Sequence, residues 1–425
     1  MNDVPNAAWS RSRVKSVRTP AGQGAAEGPV VKTLVQSVGK FTDRRATLLA
    51  VCPNSEAVTR AALHAAKEAD APLLLAATLN QVDREGGYTG WTPGQLVRFV
   101  AREAERIGVS GLVLPCLDHG GPWLKDEHVR AEYSYKETLQ AVKQSIEACI
   151  DAGYALLHLD PTVDRRRPDS TPPIEWVVER TVELIAHAET YRTRTNRQPL
   201  SYEVGTEEVQ GGLADVDTFA TFLERLDAAL QAQNLTDAWP CFVVGKVGTD
   251  LGTTTFDPEV ARRLTKVARP YGVRLKGHYT DYVANPEDYP LSGMGGANVG
   301  PECTEVEYEA LMELTRLERK LGRSSGLPTA VRDAVVNSRR WTKWLHPNEV
   351  GAAFDELDAD RQQWLLRTGS RYIWTEPNVL AARRQLYDNV HGYRDADAYV
   401  VWRIQSAILK YYHAFNLMGL NQDLP

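Results

Sequence analysis

The stretch of sequence that decides the fold is Gly111-Leu112-Val113-Leu114-Pro115-Cys116-Leu117-Asp118-His119-Gly120-Gly121. It begins as an apolar run, which is typical of a buried strand, and it ends in an acid, an imidazole and two glycines. A (β/α)₈ barrel carries its chemistry at the carboxyl ends of its strands, and this stretch has that form. Glycine allows a sharp turn and a close approach of a ligand to the backbone. We therefore predict a strand that ends at a functional site; the simpler alternative is a strand that ends in an ordinary polar turn.

Short apolar runs alternate with amphipathic stretches from residue 46 to residue 321. Continuous apolar runs indicate strands buried on both faces, and helical patterns between them indicate βαβ units in a parallel sheet. The predicted strands are residues 47–52, 71–78, 111–117, 154–159, 200–204, 241–247, 272–277 and 295–299. Together they predict a closed (β/α)₈ TIM barrel, with a doubly wound open sheet as the main alternative. Polar clusters that all follow the same end of the strands favour the barrel.

Composition limits the class of protein. Hydrophobic residues make up 43% and charged residues 24% of the 425 residues, as in ordinary globular chains. The net charge of -6, without a long basic run, argues against a nucleic-acid partner. Five widely spaced cysteines without a CxxC pair indicate neither a zinc finger nor a disulfide framework, so we expect a reduced, cytoplasmic setting. No apolar run has transmembrane length and the N-terminus lacks a signal-peptide core, so no membrane partner is expected.

The pattern divides the chain into three parts. Residues 1–29 are polar and rich in alanine and glycine, and we expect a flexible N-terminal arm there. Residues 30–321 form the predicted barrel. Residues 322–425 lack the βα alternation, are rich in arginine and aromatic residues, and are predicted to form a helical C-terminal extension. The simplest role for this extension is to cover the barrel and to mediate self-association.

Polar side chains lie at or just after the carboxyl ends of the predicted strands, and in a barrel they meet at one mouth. They are Asn80, Gln81, Asp118, His119, His158, Asp160, Glu203, Lys246, His278, Asp281, Asn298 and Glu302. Two imidazoles with carboxylates suit Zn²⁺ or a similar divalent ion in an open catalytic site. We predict His119, Glu203 and His278 as its ligands, although a single histidine is more often a hydrogen-bonded structural residue.

Other residues at the mouth have several open roles. Asp118 is a candidate general base, or it holds the neighbouring histidine by a hydrogen bond. His158 and Asp160 point the same way from one strand, and His158 is either a satisfied interior residue or a polar contact to substrate. Lys246 could form a Schiff base, as in aldolases that use no metal, but the histidines would then have no role.

Two glycine-rich loops, residues 86–90 and 293–300, are weak candidates for cradling a phosphate with backbone N–H groups. Turns need glycine in any case. Neither loop matches a P-loop or a dinucleotide-binding pattern, so no nucleotide cofactor is expected.

Several motifs together resemble a known family. They are Asn80-Gln81-Val82-x-x-x-Gly86-Gly87-Tyr88-Thr89-Gly90-x-Thr92-Pro93, Asp118-His119-x-Gly121-Pro122, His158-Leu159-Asp160, Leu200-Ser201-Tyr202-x-x-Gly205-Thr206-Glu207, His278-x-Thr280-Asp281-Tyr282, Val299-Gly300-Pro301 and Arg371-Tyr372-x-Trp374. They look like the GatZ/KbaZ-type subunit of tagatose-1,6-bisphosphate aldolase. The similarity covers roughly residues 46–321, and the last motif extends it into the C-terminal extension.

The resemblance implies a TIM-barrel protein of ketose catabolism that is distantly similar to class II zinc aldolases. In those aldolases an Asp-His pair supplies the acid/base and a zinc ligand, and Asp118-His119 match it; Glu203 and His278 look like further ligands. Two positions depart from the pattern. The aldolases carry another histidine ligand at the end of strand six, but here that segment reads Gly245-Lys246-Val247-Gly248-Thr249, without a histidine. In the aldolases a Gly-Gly-Ser binds phosphate after the strand-seven histidine, and here it is replaced by Tyr279-Thr280-Asp281.

The resemblance leaves three activities open. Retro-aldol cleavage of a ketose between C3 and C4 leaves an enediolate that a metal stabilises as a Lewis acid. Re-addition to the other face of the aldehyde makes a 4-epimerase, and release of the aldehyde makes an aldolase. We predict a 4-epimerase for a ketohexose or ketohexose phosphate of the tagatose/fructose series. The alternatives are a tagatose-1,6-bisphosphate aldolase and a non-catalytic subunit that stabilises a partner aldolase; a homo-oligomer is also compatible with the pattern.

These activities assign roles to the residues at the mouth. Asp118 on one side of the substrate, with Asp281 or Glu302 on the other, is predicted to carry the proton of the C4 hydroxyl. The predicted substrate contacts are Asn80, Gln81, Tyr88, His158, Asp160, Lys246, Asn298 and Arg371. Arg371 is expected to bind an anionic group of the substrate, or else to support the extension at the surface. The predicted cofactor is Zn²⁺, with Mn²⁺ as an alternative.

Overall fold

The barrel contains eight parallel strands in sequence order. A computed structural model describes residues 28–41, 44–167, 172–205, 215–250 and 254–424. The strands are Leu48–Val51 (β1), Leu73–Thr78 (β2), Val113–Gly120 (β3), Leu156–Leu159 (β4), Ser201–Gly205 (β5), Phe242–Val244 (β6), Arg274–Gly277 (β7) and Gly296–Val299 (β8). Each strand pairs with the next, and β1 pairs with β8 through Leu49 and Ala297, which closes the sheet. The predicted TIM barrel is confirmed, and the open sheet is excluded.

The helices surround and extend the barrel. They are Val30–Phe41 (α1), Glu56–Ala69 (α2), Pro93–Ile107 (α3), Asp126–Arg130 (α4), Tyr135–Ala152 (α5), Ile174–Arg194 (α6), Val216–Ala232 (α7), Pro258–Ala268 (α8), Asp288–Leu291 (α9), Pro301–Lys320 (α10), Leu327–Ser338 (α11), Ala359–Gly369 (α12), Pro377–Val390 (α13), Ala396–Ala414 (α14) and Leu420–Asp423 (α15). Local sequence sets several of the boundaries. The Ser55 hydroxyl accepts the Val58 N–H at the start of α2, and Thr92 forms a capping box with Gln95 at the start of α3. No helix in the described part of the chain is long and apolar enough to cross a membrane.

Helix α1 lies at the amino end of the strands, and the sequence pattern did not predict it. The Lys32 backbone N–H donates to the Ser201 hydroxyl at the start of β5, at 3.0 Å. The Lys32 ammonium donates to the carbonyls of Asp237 and Trp239, which come just before β6. Helix α1 therefore covers the end of the barrel opposite the predicted mouth. The predicted flexible arm lies almost entirely outside the described residues, which begin at Gly28.

Helix α14 joins the outer layer of the barrel from the far end of the chain. It runs parallel to α2, because Asp397 pairs with Arg60 near the start of both helices and Gln405 bonds to Glu68 further along. It runs antiparallel to α10. Its buried residues are Ala396, Val400, Val401, Ile404, Ile408, Tyr411 and Tyr412. The C-terminal extension therefore supplies part of the barrel wall as well as the cover that the sequence predicted.

The predicted strand bounds differ from the observed ones at two places that matter for the site. Strand β3 continues through Asp118 and His119 to Gly120, whereas the prediction ended it at Leu117. Strand β6 is shorter than predicted and stops at Val244, so Lys246 follows it in a loop. The apolar pattern failed at β3 because that strand carries its functional side chains within the sheet.

We predict that Tyr411→Phe destabilises the protein by about 1–3 kcal/mol, because it removes a donor from a buried carboxylate. The Tyr411 hydroxyl lies 2.5 Å from Glu302 Oε2 and 2.9 Å from the Thr280 carbonyl. The free energy of unfolding in urea measures the effect. Tyr393→Phe is the matched control, because that side chain is 66% exposed and should change little. Equal unfolding energies for the two variants would contradict the prediction.

Candidate active site

A cavity of about 230 Å³ opens at the carboxyl end of the strands, between the barrel and the C-terminal extension. The predicted site residues that line it are Asn80, Gln81, Tyr88, Asp118, His119, His278, Asp281, Asn298 and Arg371. Further lining residues that the prediction missed are Asn54, Asp126, Tyr279, Lys343, Trp344 and Tyr372. The lining is rich in hydroxyl, amide and charged groups, so it suits a polar ligand.

An irregularity near the end of strand β3 places His119 at this cavity. Its register against β4 shifts between Leu117 and Gly120, and His119 has a left-handed backbone with φ of 49°. A non-glycine residue in that region costs of order 1 kcal/mol and persists where the surroundings enforce it. Such strain is typical of functional sites.

The two glycines after His119 have a different purpose from the one predicted. A Cβ atom on Gly121 would lie 1.6 Å from the Asp160 carbonyl, and one on Gly120 would lie 2.9 Å from the His158 carbonyl. These glycines therefore allow β3 to approach the end of β4 closely, whereas the prediction expected them to allow the approach of a ligand.

Three imidazole rings meet at the floor of the cavity, where His119 and His278 line it and His158 is buried behind them. The ring centroids of His119, His158 and His278 lie 4.7–5.1 Å apart. Together with Asp118 they form a group whose ligand atoms all lie within 4.8 Å of one another. Three imidazoles and one carboxylate are donors that Zn²⁺ and similar ions prefer, so the residues fit a divalent ion.

Hydrogen bonds orient this cluster. Asp160 Oδ2 lies 2.7 Å from His119 Nδ1, which leaves the other ring nitrogen of His119 toward the cavity side of the cluster. Nδ1 of His158 lies 3.1 Å from the His119 N–H and 3.3 Å from Asp118 Oδ1. His158 is 1% exposed, and its Nε2 has no hydrogen-bond partner among the described residues. The predicted substrate contacts His158 and Asp160 therefore lie behind the cavity wall, where they hold Asp118 and His119.

Glu203 lies beside the cluster and is paired with a lysine. Its Oε1 is 2.9 Å from His278 Nε2, and its Oε2 is 2.5 Å from the Lys276 ammonium. The observed group that could hold an ion therefore includes His158 and not Glu203, which the sequence had predicted as a ligand. Lys276 was missed, although it precedes His278 by one side-chain period on β7 and so shares its inward face.

Burial and charge set the ionisation of these acids. Burial alone would raise the pKa of Glu203, but Lys276 and the histidines lower that pKa to about 2. Burial also opposes ionisation of Asp118, yet His119, the hydrogen bond to His158 and nearby cations hold its pKa well below the usual range. Both acids are therefore carboxylates at neutral pH.

Asp281 is the acid that behaves differently. It is 8% exposed and lines the cavity wall beside β8. Burial, aided by the charge of Glu302 and opposed by two backbone N–H groups, raises the pKa of Asp281 to about 7. One acid that stays ionised and one that titrates near neutrality suit a base and an acid in the same site.

Asn54, after β1, connects the amide groups on one side of the cavity. Its Oδ1 accepts hydrogen bonds from Gln81 Nε2 and from the Tyr88 hydroxyl, at 2.6 and 2.9 Å, and its Nδ2 donates to the Gly300 carbonyl. Asn298 Nδ2 donates to Asp118 Oδ1 at 3.2 Å, and its buried Oδ1 has no partner among the described residues. The Pro-Asn-Ser that follows β1 was the signal in the sequence for Asn54.

The C-terminal extension roofs the cavity. Arg371 lies in the short 3₁₀ helix Ser370–Tyr372, 8% exposed, with its guanidinium over Trp344 and Tyr372 and its Nε donating to the Thr368 carbonyl. Its Nη2 is buried without a partner among the described residues. An unsatisfied guanidinium nitrogen in a cavity is a donor site for an anionic group.

The roof is fastened to the glycine-rich loop and to the barrel. The Thr375 hydroxyl donates to the Tyr88 carbonyl, and Lys343 forms an ion pair with Asp126. Within the loop, the N–H groups of Gly86, Tyr88, Thr89 and Gly90 all bond to backbone carbonyls. Four of the five N–H groups in this loop are therefore already used, which argues against the prediction that residues 86–90 cradle a phosphate.

Lys246 and Glu302 are not among the residues that line the cavity. Glu302 is 2% exposed in the first turn of α10, where it accepts the Tyr282 N–H and contacts Lys410 and Tyr411. Lys246 is partly buried in the loop after β6. Their predicted roles depended on the strand ends alone, and the helix start and the shortened strand changed their positions.

A family model for GatZ/KbaZ-like D-tagatose-1,6-bisphosphate aldolase subunits matches residues 33–403. The chain belongs to the GatZ/KbaZ-like family. Residues on β3, β7 and the roof all lie within the match, so the resemblance read from the motifs is confirmed. Thr206 and Glu207 of the β5 motif lie outside the described residues.

Curated relatives carry the same family name. The D-tagatose-1,6-bisphosphate aldolase subunits GatZ of Shigella boydii serotype 18 and of Escherichia coli K12 are each 26% identical to this chain over 368 residues. Each alignment covers 81% of this chain and 85% of the relative.

Solved structures confirm the fold. A probable tagatose 6 phosphate kinase from Sinorhizobium meliloti 1021 superimposes with a TM-score of 0.71 at 22% identity, covering 87% of this chain and all of the other. A fructose-bisphosphate aldolase from Campylobacter jejuni gives 0.52 at 11% identity, with 92% and 93% covered. At these identities the likeness shows that the fold is shared, and it carries no information about activity.

We predict that Lys276→Met lowers the free energy of unfolding by about 3–5 kcal/mol, because Glu203 would stay buried without its cation. Lys276 is 1% exposed and Glu203 is fully buried. Chemical denaturation measures the loss. Lys143→Met on α5, which breaks a partly exposed pair with Glu183 on α6, is the control and should cost at most about 1 kcal/mol.

Lys276→Met combined with Glu203→Gln should recover much of the loss, since the uncompensated charge is then absent. Additive losses in the double variant would show that Lys276 contributes packing and not charge compensation.

Proposed function

We propose that this protein is a metal-dependent 4-epimerase of a ketohexose or ketohexose phosphate in the tagatose/fructose series. The observation that carries the proposal is the ionised Asp118 beside three imidazoles, at the floor of a polar cavity that the C-terminal extension roofs. Family membership and the aldolase-like barrel support retro-aldol chemistry as the reaction type.

His119, His158 and His278 would hold the ion, with Asp118 at its side. Glu203 was predicted as a ligand, and in our proposal it instead orients His278. A bound divalent ion, Zn²⁺ or Mn²⁺, supplies Lewis acidity toward the ketose carbonyl. Asp160 keeps the His119 ring turned toward the cavity by its hydrogen bond to Nδ1.

Two carboxyl groups carry the proton. Asp118 takes the proton from the C4 hydroxyl, the C3–C4 bond breaks, and its electrons pass into the C2–C3 unit as an enediolate. The aldehyde fragment turns, C3 attacks the other face of C4, and Asp281 gives its proton to the new C4 oxygen. The ionised state of Asp118 and the raised pKa of Asp281, about 7, match these opposite roles. Asp281 is preferred to Glu302 because it lines the cavity and Glu302 does not.

The roof supports epimerisation over net cleavage. An epimerase has to retain the aldehyde while it turns, and an aldolase has to release it. The contact between Thr375 and Tyr88, together with the ion pair between Lys343 and Asp126, fastens the extension across the mouth. Closure of this kind keeps fragments from escaping.

A non-catalytic subunit is the second candidate, and one observation favours it. Lys276 already places a cation 2.5 Å from Glu203 beside the histidine cluster, so part of the negative charge is compensated without an added ion. The curated relatives are also named as subunits of an aldolase.

The deciding experiment is incubation of the metal-loaded protein with tagatose, tagatose 6-phosphate and tagatose 1,6-bisphosphate, followed by NMR. We expect the corresponding fructose compound from at least one of them, without free triose. Asp118→Asn should lower the rate at least about 100-fold, because general-base catalysis contributes that much or more.

Other outcomes of this assay identify the alternatives. Free triose phosphate from the bisphosphate would establish an aldolase instead. No turnover with Zn²⁺ or Mn²⁺ would favour the non-catalytic subunit. Metal analysis of the purified protein then distinguishes a protein that binds no metal from one that binds metal without activity.

We also predict that Arg371→Lys raises KM more for a phosphorylated or acidic ketose than for a neutral one. A lysine keeps the charge but loses the bidentate geometry of the guanidinium. The comparison of KM for paired charged and neutral ketoses measures the effect. Lys410→Arg is a control outside the cavity and should change both values equally. An equal rise for both substrates in Arg371→Lys would remove the role of Arg371 in binding an anion.

A further inference from the structure

The start of α10 is a place where the protein binds its own carboxylate. Asp281 Oδ1 accepts the N–H groups of Gly300 and Glu302, at 2.9 and 2.7 Å. Pro301 has no N–H, and the Cys303 N–H bonds to the Gly300 carbonyl. Every amide donor from Gly300 to Cys303 is therefore already used within the protein.

This location is where many barrels bind a phosphate. The loops after the seventh and eighth strands and a helix N-terminus beside them commonly hold a phosphate group. Here Asp281 follows β7, Gly300 follows β8, and α10 supplies the helix N-terminus. The oxygen of Asp281 occupies the position that a phosphate oxygen would need. The Glu302 carboxylate in the same first turn is already paired with Lys410, so that lysine is not free to attract a phosphate.

We propose that Asp281 excludes phosphate from the β7–β8 side of the cavity, so that the part of the ketose bound there carries only hydroxyl groups. The proposal rests on the proposed function for the identity of the ligand as a ketose. Asp281 lines the cavity, so the carboxyl group that displaces a phosphate also offers an acceptor to a sugar hydroxyl. The substrate class becomes a ketose or a ketose monophosphate, and a 1,6-bisphosphate is disfavoured.

The roof of the cavity carries the groups that could attract an anion. Arg371 presents a buried guanidinium nitrogen without a partner among the described residues, so one anionic group has a place under the roof. Lys343, the other cation that lines the cavity, is already paired with Asp126. The cavity thus offers one anionic group a place beside Arg371, whereas the N–H groups at the start of α10 are already taken by Asp281.

The test is a titration of inorganic phosphate into the full-length, metal-loaded protein by calorimetry. It compares the Arg371→Gln parent with two Asp281 variants. Asp281→Ala frees both N–H groups, and Asp281→Asn keeps an Oδ1 acceptor on them. Both are made in an Arg371→Gln background, so that phosphate bound under the roof does not contribute. We expect Asp281→Ala to bind phosphate at least about tenfold more tightly than the Arg371→Gln parent, with little gain in Asp281→Asn. Asp281→Ser replaces the alanine variant if the latter does not fold.

Three results would overturn the proposal. The first is tight phosphate binding in the Arg371→Gln parent. The second is no gain in affinity in Asp281→Ala, or in Asp281→Ser where that variant replaces it. The third is an equal gain in Asp281→Asn, which would show that Oδ1 does not block the N–H groups of Gly300 and Glu302. The titration needs no turnover, so an absence of activity with every ketose would remove the proposed function and leave this result standing. Efficient turnover of the bisphosphate would retain a ketose enzyme and reject the exclusion.

Discussion

The ion pair between Lys276 and Glu203 is the interaction on which the floor of the barrel depends. Asp118, Glu203 and Asp160 are all buried near one another, and burying a carboxylate without compensation is costly. Lys276, fully enclosed on β7, compensates Glu203 at 2.5 Å, and Glu203 in turn holds His278 at 2.9 Å. The geometry of the imidazole cluster therefore follows from a charge placed one layer below it.

The sequence predicted the barrel and much of the site because both depend on rules that act along the chain. Parallel strands put their carboxyl ends on one side, so Asp118, His119 and His278 could be brought together without coordinates. Lys276 and His158 show where this reasoning stops. Whether an inward-facing residue contacts the ligand or its neighbour depends on strand tilt, register and bulges, and the shift in β3 is such a detail.

Contacts between distant segments were beyond the reach of the pattern. Periodicity indicated helices after residue 322 that cover the barrel, but nothing in it says that one of them packs beside α2 or which groups Arg371 contacts within the roof. The positions of Glu302 and Asp281 at the start of α10 also depend on where the helix begins. A boundary shift of a few residues moved Glu302 from the cavity to a contact with Tyr411.

The wall position of α14 has a consequence for biosynthesis. Arg60 and Asp397 are 337 residues apart in sequence, so α2 finds one of its neighbours only after α14 has been made. Contacts of such separation close slowly, and until then an apolar seam stays open to water and to other chains. A ribosome-bound barrel that lacks α14 is thus a natural client for chaperones, and its vulnerable period lasts until α14 has been translated.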